Sequence, residues 1–317
     1  MNGAVLEAIG VDVGGTRTAA LRVTAEGTII DRVSSSTPAE DTAATLGAMV
    51  DSVRAMLTPE VAAIGIAAAG LVETGTEVLR FAPNIAWRDV NLVAMVEGET
   101  GLPVSADNDN TAAAWGELRC GAAQGCEHVL LVGVGTGIGG GIVIGGSLLR
   151  GKNGFAGEIG HIVVEPDGER CGCGNLGCWE TVASGAAILR EGRWAVEHGS
   201  HSILAEIASG DPARVTGEMV TEAARAGDPT ARGILVEVGH RLGEGIAGLV
   251  NVLDPEIVVV GGGASAAGDL LLEPARAAFR TTVEGFEHRP DVPIVVAELG
   301  NDAGGVGAAL LALEAMT

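Results

Sequence analysis

The chain has 317 residues, 47% of them hydrophobic, with aromatics at only 3%, no Tyr, and a net charge of −22. That is enough apolar material for two domains with real cores. So acidic a surface repels phosphate backbones and anionic lipid, which argues against nucleic-acid and membrane partners, and scarce aromatics leave few platforms for stacking bases. The N-terminus runs almost directly into an apolar strand, with no basic region or cleavage site, so a cytoplasmic soluble protein is expected.

In chain order, Val5 to Val13 reads as an apolar strand ending in Gly14-Gly15-Thr16. Strands resume over Ala19 to Val23 and, past the Glu26-Gly27 turn, over Thr28 to Val33. Thr42 to Leu57 predicts a helix and Ala62 to Ala68 a buried strand. Val90 to Thr100 predicts a helix, Val104 to Ala106 a strand and Asn110 to Leu118 a helix. Val129 to Leu149 carries no charge over 21 residues, which is membrane-spanning length. Eight of those residues are Gly, however, and each costs about 1 kcal/mol in a helix interior relative to Ala. A membrane helix is therefore rejected. The stretch instead repeats the opening plan, with Val129 to Val134, Gly135-Thr136-Gly137, Gly141 to Ile144, Gly145-Gly146 and Ser147 to Leu149. A repeated unit predicts two related halves.

Alanine-rich helices are predicted over Ser184 to His198, Ser202 to Ala208, Gly217 to Ala226 and Pro229 to Val252. Glu256 to Val260 is a strand, Gly261-Gly262-Gly263 a turn, Gly268 to Phe279 a helix and Pro293 to Ala297 a strand. Ala303 to Ala315 predicts a last, amphipathic helix. Strands alternating with helices indicate an α/β fold with mixed sheets. Hinges are expected near Asp109 and Gly300, dividing a smaller domain of residues 1–109 and 301–317 from a larger one of 110–300.

Three of the five cysteines, Cys171, Cys173 and Cys178, lie within eight positions, with His161 ten residues upstream. Three thiolates and one imidazole are the ligand set of a closed, structural zinc site. The alternative is buried or disulfide-forming thiols, but an odd cysteine count with no signal peptide argues against a disulfide framework. Cys120 and Cys126 read as ordinary reduced thiols. Glu158 and Glu180 bracket the cysteine loop and are too polar for ordinary core, so the loop looks like a device for building a polar pocket.

Glycine turns expose backbone N–H groups that bind phosphate oxygens. Three exist, at Gly14-Gly15-Thr16, at Gly135 to Gly141 and at Gly261 to Gly263. Together they favour a nucleotide site over simple tight connections. Gly135-Thr136-Gly137-Ile138-Gly139-Gly140 formally matches a dinucleotide fingerprint, but a strand follows where that motif needs a helix. Gly146 to Asn153 resembles a P-loop ending in Asn, without the hydroxyl magnesium requires. Asp12, two residues before the first glycine turn, suits magnesium better than a mere turn cap. Asp107-Asn108-Asp109-Asn110 lies between a strand and a helix. One of these residues serves as the helix cap. Four consecutive polar residues exceed that need, and a phosphoryl-transfer enzyme requires an Asp to take the proton of the attacking hydroxyl.

These residues together resemble the repressor–open-reading-frame–kinase (ROK) family, within the hexokinase–actin ATPase superfamily, across essentially the whole chain. The resemblance rests on Asp12-Val13-Gly14-Gly15-Thr16, Asn108-Asp109, Glu158-Ile159-Gly160-His161 and, most specifically, Cys171-Gly172-Cys173-Gly174-Asn175-Leu176-Gly177-Cys178-Trp179-Glu180. Within the family, Pro83-Asn84-Ile85-Ala86-Trp87-Arg88 is similar to the members that phosphorylate glucose. The resemblance implies two actin-like domains with ATP in the cleft between them and phosphorylation of glucose to glucose 6-phosphate. It implies Asp109 as general base on the sugar 6-hydroxyl, and Asn84, Asn108, Glu158, His161 and Glu180 as partners of the other hydroxyls. His161 would serve zinc and sugar with one ring nitrogen each. Asp12, Gly14, Gly15, Thr16, Arg17, Gly135, Thr136, Gly137, Gly139, Gly140, Gly261, Gly262 and Gly263 would hold Mg-ATP, and His161, Cys171, Cys173 and Cys178 the zinc. Arg17 stands where relatives often carry Lys, with no expected change of chemistry. A homodimer or homotetramer is implied. An amino-sugar kinase is the alternative. A sugar-responsive repressor is disfavoured because the first strand begins by Val5, leaving no room for a DNA-binding domain, and because the charge opposes DNA.

Overall fold

The computed structural model describes residues 6–83, 85–199 and 201–316. The chain opens with strands β1 (Glu7–Val13), β2 (Arg17–Thr24) and β3 (Ile29–Ser36), then helix α1 (Thr42–Arg54) and strand β4 (Val61–Ala68). Short strands β5 (Leu71–Val72), β6 (Val78–Phe81) and β7 (Arg88–Asn91) follow, then α2 (Leu92–Thr100), β8 (Val104–Asn108) and α3 (Asp109–Cys120). Next come β9 (Val129–Val134), β10 (Ile138–Ile144), β11 (Ser147–Leu148), α4 (Glu180–Ala183), α5 (Gly185–Glu197), α6 (Ile203–Ile207), α7 (Gly217–Arg225) and α8 (Pro229–Leu253). Strand β12 (Ile257–Gly261), α9 (Asp269–Thr282), β13 (Ile294–Val296) and α10 (Ala303–Glu314) complete it. Among the described residues no helix is long and apolar enough to cross a membrane, and Val129–Leu149 is built of strands and glycine turns.

The repeat legible in the sequence is a repeat of topology. One sheet runs β3-β2-β1-β4-β8 and the other β11-β10-β9-β12-β13. Both open with antiparallel hairpin strands, and both contain parallel pairs, β1/β4 and β4/β8 in the first and β12/β13 in the second. Two compact units follow, the first comprising Met1–Leu131, Gly140–Gly157 and Ala297–Thr317, the second Val132–Gly139 and Glu158–Val296. The division runs through β9 and β10. Helix α3, placed beyond a hinge by the sequence, lies in the first unit because it packs along α10.

Alternation dictates the core of the first unit. In a strand, successive side chains point to opposite faces. Ile9, Val11, Val13, Ile64 and Ile66 pack with Met49, Val53, Leu92 and Val96 of α1 and α2. Ala8 and Ala63 share the other face with Val306, Ala309 and Leu310 of α10. On that second face Gly10 and Gly65 are register partners. A methyl on Gly10 would collide with the Gly305 carbonyl, and one on Gly65 with the Ala308 carbonyl. The helix therefore lies backbone to backbone on the sheet. It is buried on nearly every side, which corrects the expected amphipathic helix: an all-apolar helix is a core helix. Its approach is fixed by Glu117 of α3, fully buried, whose carboxylate accepts N–H bonds from Ala122 (2.8 Å), Glu298 (3.1 Å) and Leu299 (2.8 Å).

Two local expectations change. The helix predicted from Val90 starts at Leu92, because Arg88–Asn91 pairs antiparallel with β6 and Asn91 caps the helix by accepting from the Ala94 N–H at 2.9 Å. The resulting three-stranded sheet β5-β6-β7 has no counterpart in the sequence reading.

Gly65→Ala tests the glycine seat of α10. Overpacking against backbone costs about 1–3 kcal/mol, so thermal denaturation should show a Tm lower by about 2–12 °C. An unchanged Tm would show that the helix is free to move off the sheet.

Candidate functional site

The site residues fall into two constellations, one in each unit. In the first, parallel strands β1, β4 and β8 end at the same edge, the edge where open α/β sheets bind ligands. Asp12, Ala67 and Asp107 form one row across that edge. Asp12 points to the α10 face, and a side chain on Gly304, at the start of α10, would crowd its Oδ2. Burial pushes the Asp12 carboxyl up to about 7. Repulsion from Asp109 adds to this, Arg17 opposes it, and Asp302 adds further repulsion. Gly14 N donates to the Arg17 carbonyl at 3.0 Å, closing the turn between β1 and β2.

At the end of β8 the four polar residues divide their roles. Asp107 pairs with Arg150, Nε to Oδ2 2.7 Å. Asn108 caps α3, its Oδ1 accepting from the N–H groups of Asn110 (2.9 Å) and Thr111 (3.1 Å) while its Nδ2 donates to the Gly70 carbonyl (3.1 Å). Asp109 opens the helix, and its Oδ1 accepts from Asn110 N (2.9 Å) and Nδ2 (3.0 Å). Burial holds the Asp109 carboxyl above the usual carboxylate range, against the bonds from Asn110 and Asn108. A carboxyl made more basic in this way is a stronger proton acceptor when ionised. Asn84 lies outside the described residues.

In the second unit a short 3-10 turn over Ile159–His161 sets Glu158 and His161 on one side, Oε2 to Nε2 3.8 Å. The bridge Val163↔Cys178 and the bond from Trp179 N to the Ile162 carbonyl (2.8 Å) bring this segment beside the cysteine loop. Trp179 is buried and donates Nε1 to the Arg241 carbonyl of α8 (2.9 Å), anchoring Glu180 next to it. The donor atoms of His161, Cys171, Cys173 and Cys178 all lie within 4.8 Å of one another. Cys173 and Cys178 sulfurs are 3.6 Å apart, as are the Cys171 sulfur and His161 Nδ1. Those separations exceed a disulfide bond of about 2.05 Å and match the edges of a zinc tetrahedron, about 3.8 Å for S···S and about 3.5 Å for S···N. The residues present therefore fit zinc.

Glu180 joins this cluster to the glycine loop. Its Oε1 accepts from the Cys171 thiol at 2.9 Å and lies 3.6 Å from His161 Nδ1, and its Oε2 accepts from Ile138 N at 3.3 Å. Any side chain at Gly137 would strike that carboxylate. The loop also turns two carbonyls into the N-terminus of α5, Gly135 O to Gly185 N (2.8 Å) and Thr136 O to Ala186 N (3.4 Å). Gly262 takes a left-handed φ of 79° at the end of β12, with its carbonyl accepting from Ser265 Oγ at 2.7 Å. Gly139 and Gly140 lie within β10.

A profile of the ROK family matches residues 8–315. The chain belongs to the ROK family. Glucokinase of Streptomyces coelicolor is 42% identical over 96% of this chain and 97% of its own. The crystal structure of a ROK family glucokinase from Streptomyces griseus in complex with glucose and AMPPNP superposes with a TM-score of 0.91 at 42% identity, covering 97% of this chain and 99% of that one. A ROK hexokinase from Thermus thermophilus gives a TM-score of 0.79 at 34% identity, covering 98% and 99%. As in that family, the fold is α/β with mixed sheets of the hexokinase–actin ATPase superfamily.

Two residues of the first constellation escaped the sequence reading. Asp302, bonded to Arg32 at 3.0 Å, adds charge beside Asp12. Its available signal was an acid before two glycines at a helix start, Asp302-Ala303-Gly304-Gly305. Arg150 pairs with Asp107 across 43 positions, a separation no local pattern encodes.

Asp12 makes stability pH-dependent. With its folded pKa raised to about 7 from 3.8, the native state holds a proton the unfolded chain has lost, so stability falls as pH rises through that window and levels off above it. In metal-free buffer, Asp12→Asn should match the parent Tm near pH 4 and exceed it by a few degrees at pH 8. Equal gains at both pH values would remove the ionisation as the cause.

Proposed function

We propose that this chain transfers the γ-phosphoryl group of ATP to the 6-hydroxyl of glucose, giving glucose 6-phosphate and ADP. The carrying observation is Asp109, a desolvated carboxylate held by Asn110 at the head of α3, on the strand edge that also presents Asp12. The near full-length similarity to a relative solved with glucose and an ATP analogue supports this reading. Asp109 accepts the proton of the 6-hydroxyl as its oxygen attacks the γ-phosphorus, and the proton passes to solvent after ADP leaves. Asn84, Asn108, Glu158, His161 and Glu180 hydrogen-bond the remaining hydroxyls. A site built for many hydroxyls rejects analogues lacking one, since its own polar groups would go unpaired.

Gly14, Gly15, Thr16 and Arg17, with Gly135, Thr136, Gly137, Gly139, Gly140 and Gly261 to Gly263, cradle the nucleotide. Asp12 would hold magnesium, whose charge neutralises the phosphates during transfer. The repulsion that Asp109 and Asp302 impose on Asp12 is what a divalent cation relieves. His161, Cys171, Cys173 and Cys178 would hold a structural zinc, which fixes the imidazole through Nδ1 and leaves Nε2, on the Glu158 side, for the sugar. A homodimer or homotetramer in the cytoplasm completes this reading.

Asp109→Asn, assayed by coupling ADP formation to a dehydrogenase, should lose about 10²–10⁴-fold in kcat, with glucose KM little changed. Near-parental turnover would remove Asp109 from the base role. Ranked by kcat/KM with ATP and magnesium, glucose should lead a hexose panel. Preference for N-acetylmannosamine or N-acetylglucosamine would move the assignment to an amino-sugar kinase. Cys173→Ser should lose zinc by elemental analysis and lower the Tm, and full zinc occupancy in that variant would count against the ligand set.

A further inference from the structure

The Arg150–Asp107 pair stands behind the acid–base residue, and neither side chain is assigned above to the nucleotide or the sugar. Asp107 Oδ2 accepts from Arg150 Nε at 2.7 Å, while its Oδ1 accepts from the Asn108 backbone N–H at 2.9 Å. The carboxylate thus bridges a guanidinium and the peptide at which β8 becomes α3. Asn108 in turn caps α3, and Asn110 of its first turn holds Asp109 Oδ1. The side chains of Asp107 and Arg150 are 14% and 33% exposed, so solvent screens the pair only in part.

The loop carrying Arg150 is itself fixed. Ala156 N donates to the Arg150 carbonyl (3.1 Å), and Thr74 N to the Asn153 carbonyl (3.0 Å). Gly154 fits against the Val72 carbonyl only because it has no side chain. Beneath the pair lies a cavity of about 250 Å³ lined by Glu73, Glu77, Asp107 and the second half of α10, with Arg150 as the only cation lining it among the described residues. Burial and Asp107, then Glu97, hold the Glu77 carboxyl up, with Arg150 opposing. Removing Arg150 would leave Asp107 partly buried beside that second acid.

We propose that Arg150 is a positioning residue for phosphoryl transfer, acting through Asp107 to fix the β8–α3 junction and so the aim of the Asp109 carboxylate. The inference rests on the reading of Asp109 as general base. Misplacing a catalytic group by about 1 Å costs on the order of 10²-fold in rate. ATP binding, which the reading above does not route through this junction, is untouched by such a shift.

The test is steady-state glucose phosphorylation by Arg150→Ala, Arg150→Lys, Asp107→Asn and Asp109→Asn, with Tm recorded for each. Arg150→Ala should lose about 10–100-fold in kcat with the KM for ATP within about threefold. Added guanidinium ion should restore part of that loss in Arg150→Ala and none in Asp109→Asn. The Arg150→Ala/Asp107→Asn double variant should be no slower than the worse single one, as expected of a coupled pair. If Arg150→Ala fails to fold, Arg150→Lys carries the test, since it keeps the charge while losing the planar fork. It should show the parental Tm and an intermediate kcat. Parental kcat in either arginine variant, or a loss confined to Tm and KM, overturns the positioning role. Full activity in Asp109→Asn overturns the base reading instead.

Discussion

The first unit depends on one contact, the seating of α10 directly on the glycines of β1 and β4. Ala8-Ile9-Gly10-Val11-Asp12 and Ala63-Ile64-Gly65-Ile66-Ala67 are two copies of one pattern, paired in parallel register. Large side chains face α1 and α2, and almost nothing projects toward α10. Without Cβ atoms at Gly10 and Gly65 the helix comes close enough to set Gly304 against the Asp12 carboxyl. The same closeness strips water from that carboxyl, which is why burial leads the causes of its raised pKa. Packing of small residues thus produces the electrostatics of the site.

The second unit reaches a comparable result by other means. Here polar groups are gathered by short-range covalent geometry, three cysteines and a histidine converging within 4.8 Å, and Glu180 is held by the buried Trp179 beside it. Glu180 touches both the thiol–imidazole cluster and the glycine loop. Fifty glycines and 3% aromatics are two sides of one strategy, in which backbone approaches backbone and polar groups fill the space that bulky side chains occupy elsewhere.

Much of this was legible because it is local. The strand-turn-strand repeat, the cysteine spacing and the run Asp107 to Asn110 each lie within about twenty residues, and the helix caps at Ser184, Ser202 and Asn108 follow from residue type. What failed was non-local. Arg-Asp-Val-Asn at 88–91 has no strand alternation and becomes β7 only through its pairing with β6. The last helix is a different case, since Ala303 to Leu313 holds only apolar residues and Gly, and that composition already marks a helix covered on one side by the sheet and on another by α3. Arg150 and Asp302 act on charges far away in the chain, where periodicity carries no information.

Glu117 gives the arrangement a mechanical side. Its carboxylate is bonded to the segment that enters α10, and it shares a helix with Asp109. Two turns and about 12 Å of α-helix separate the two acids. That one short helix therefore ties the placement of Asp109 at its head to the placement of residues 298–299, where the last stretch of the polypeptide begins.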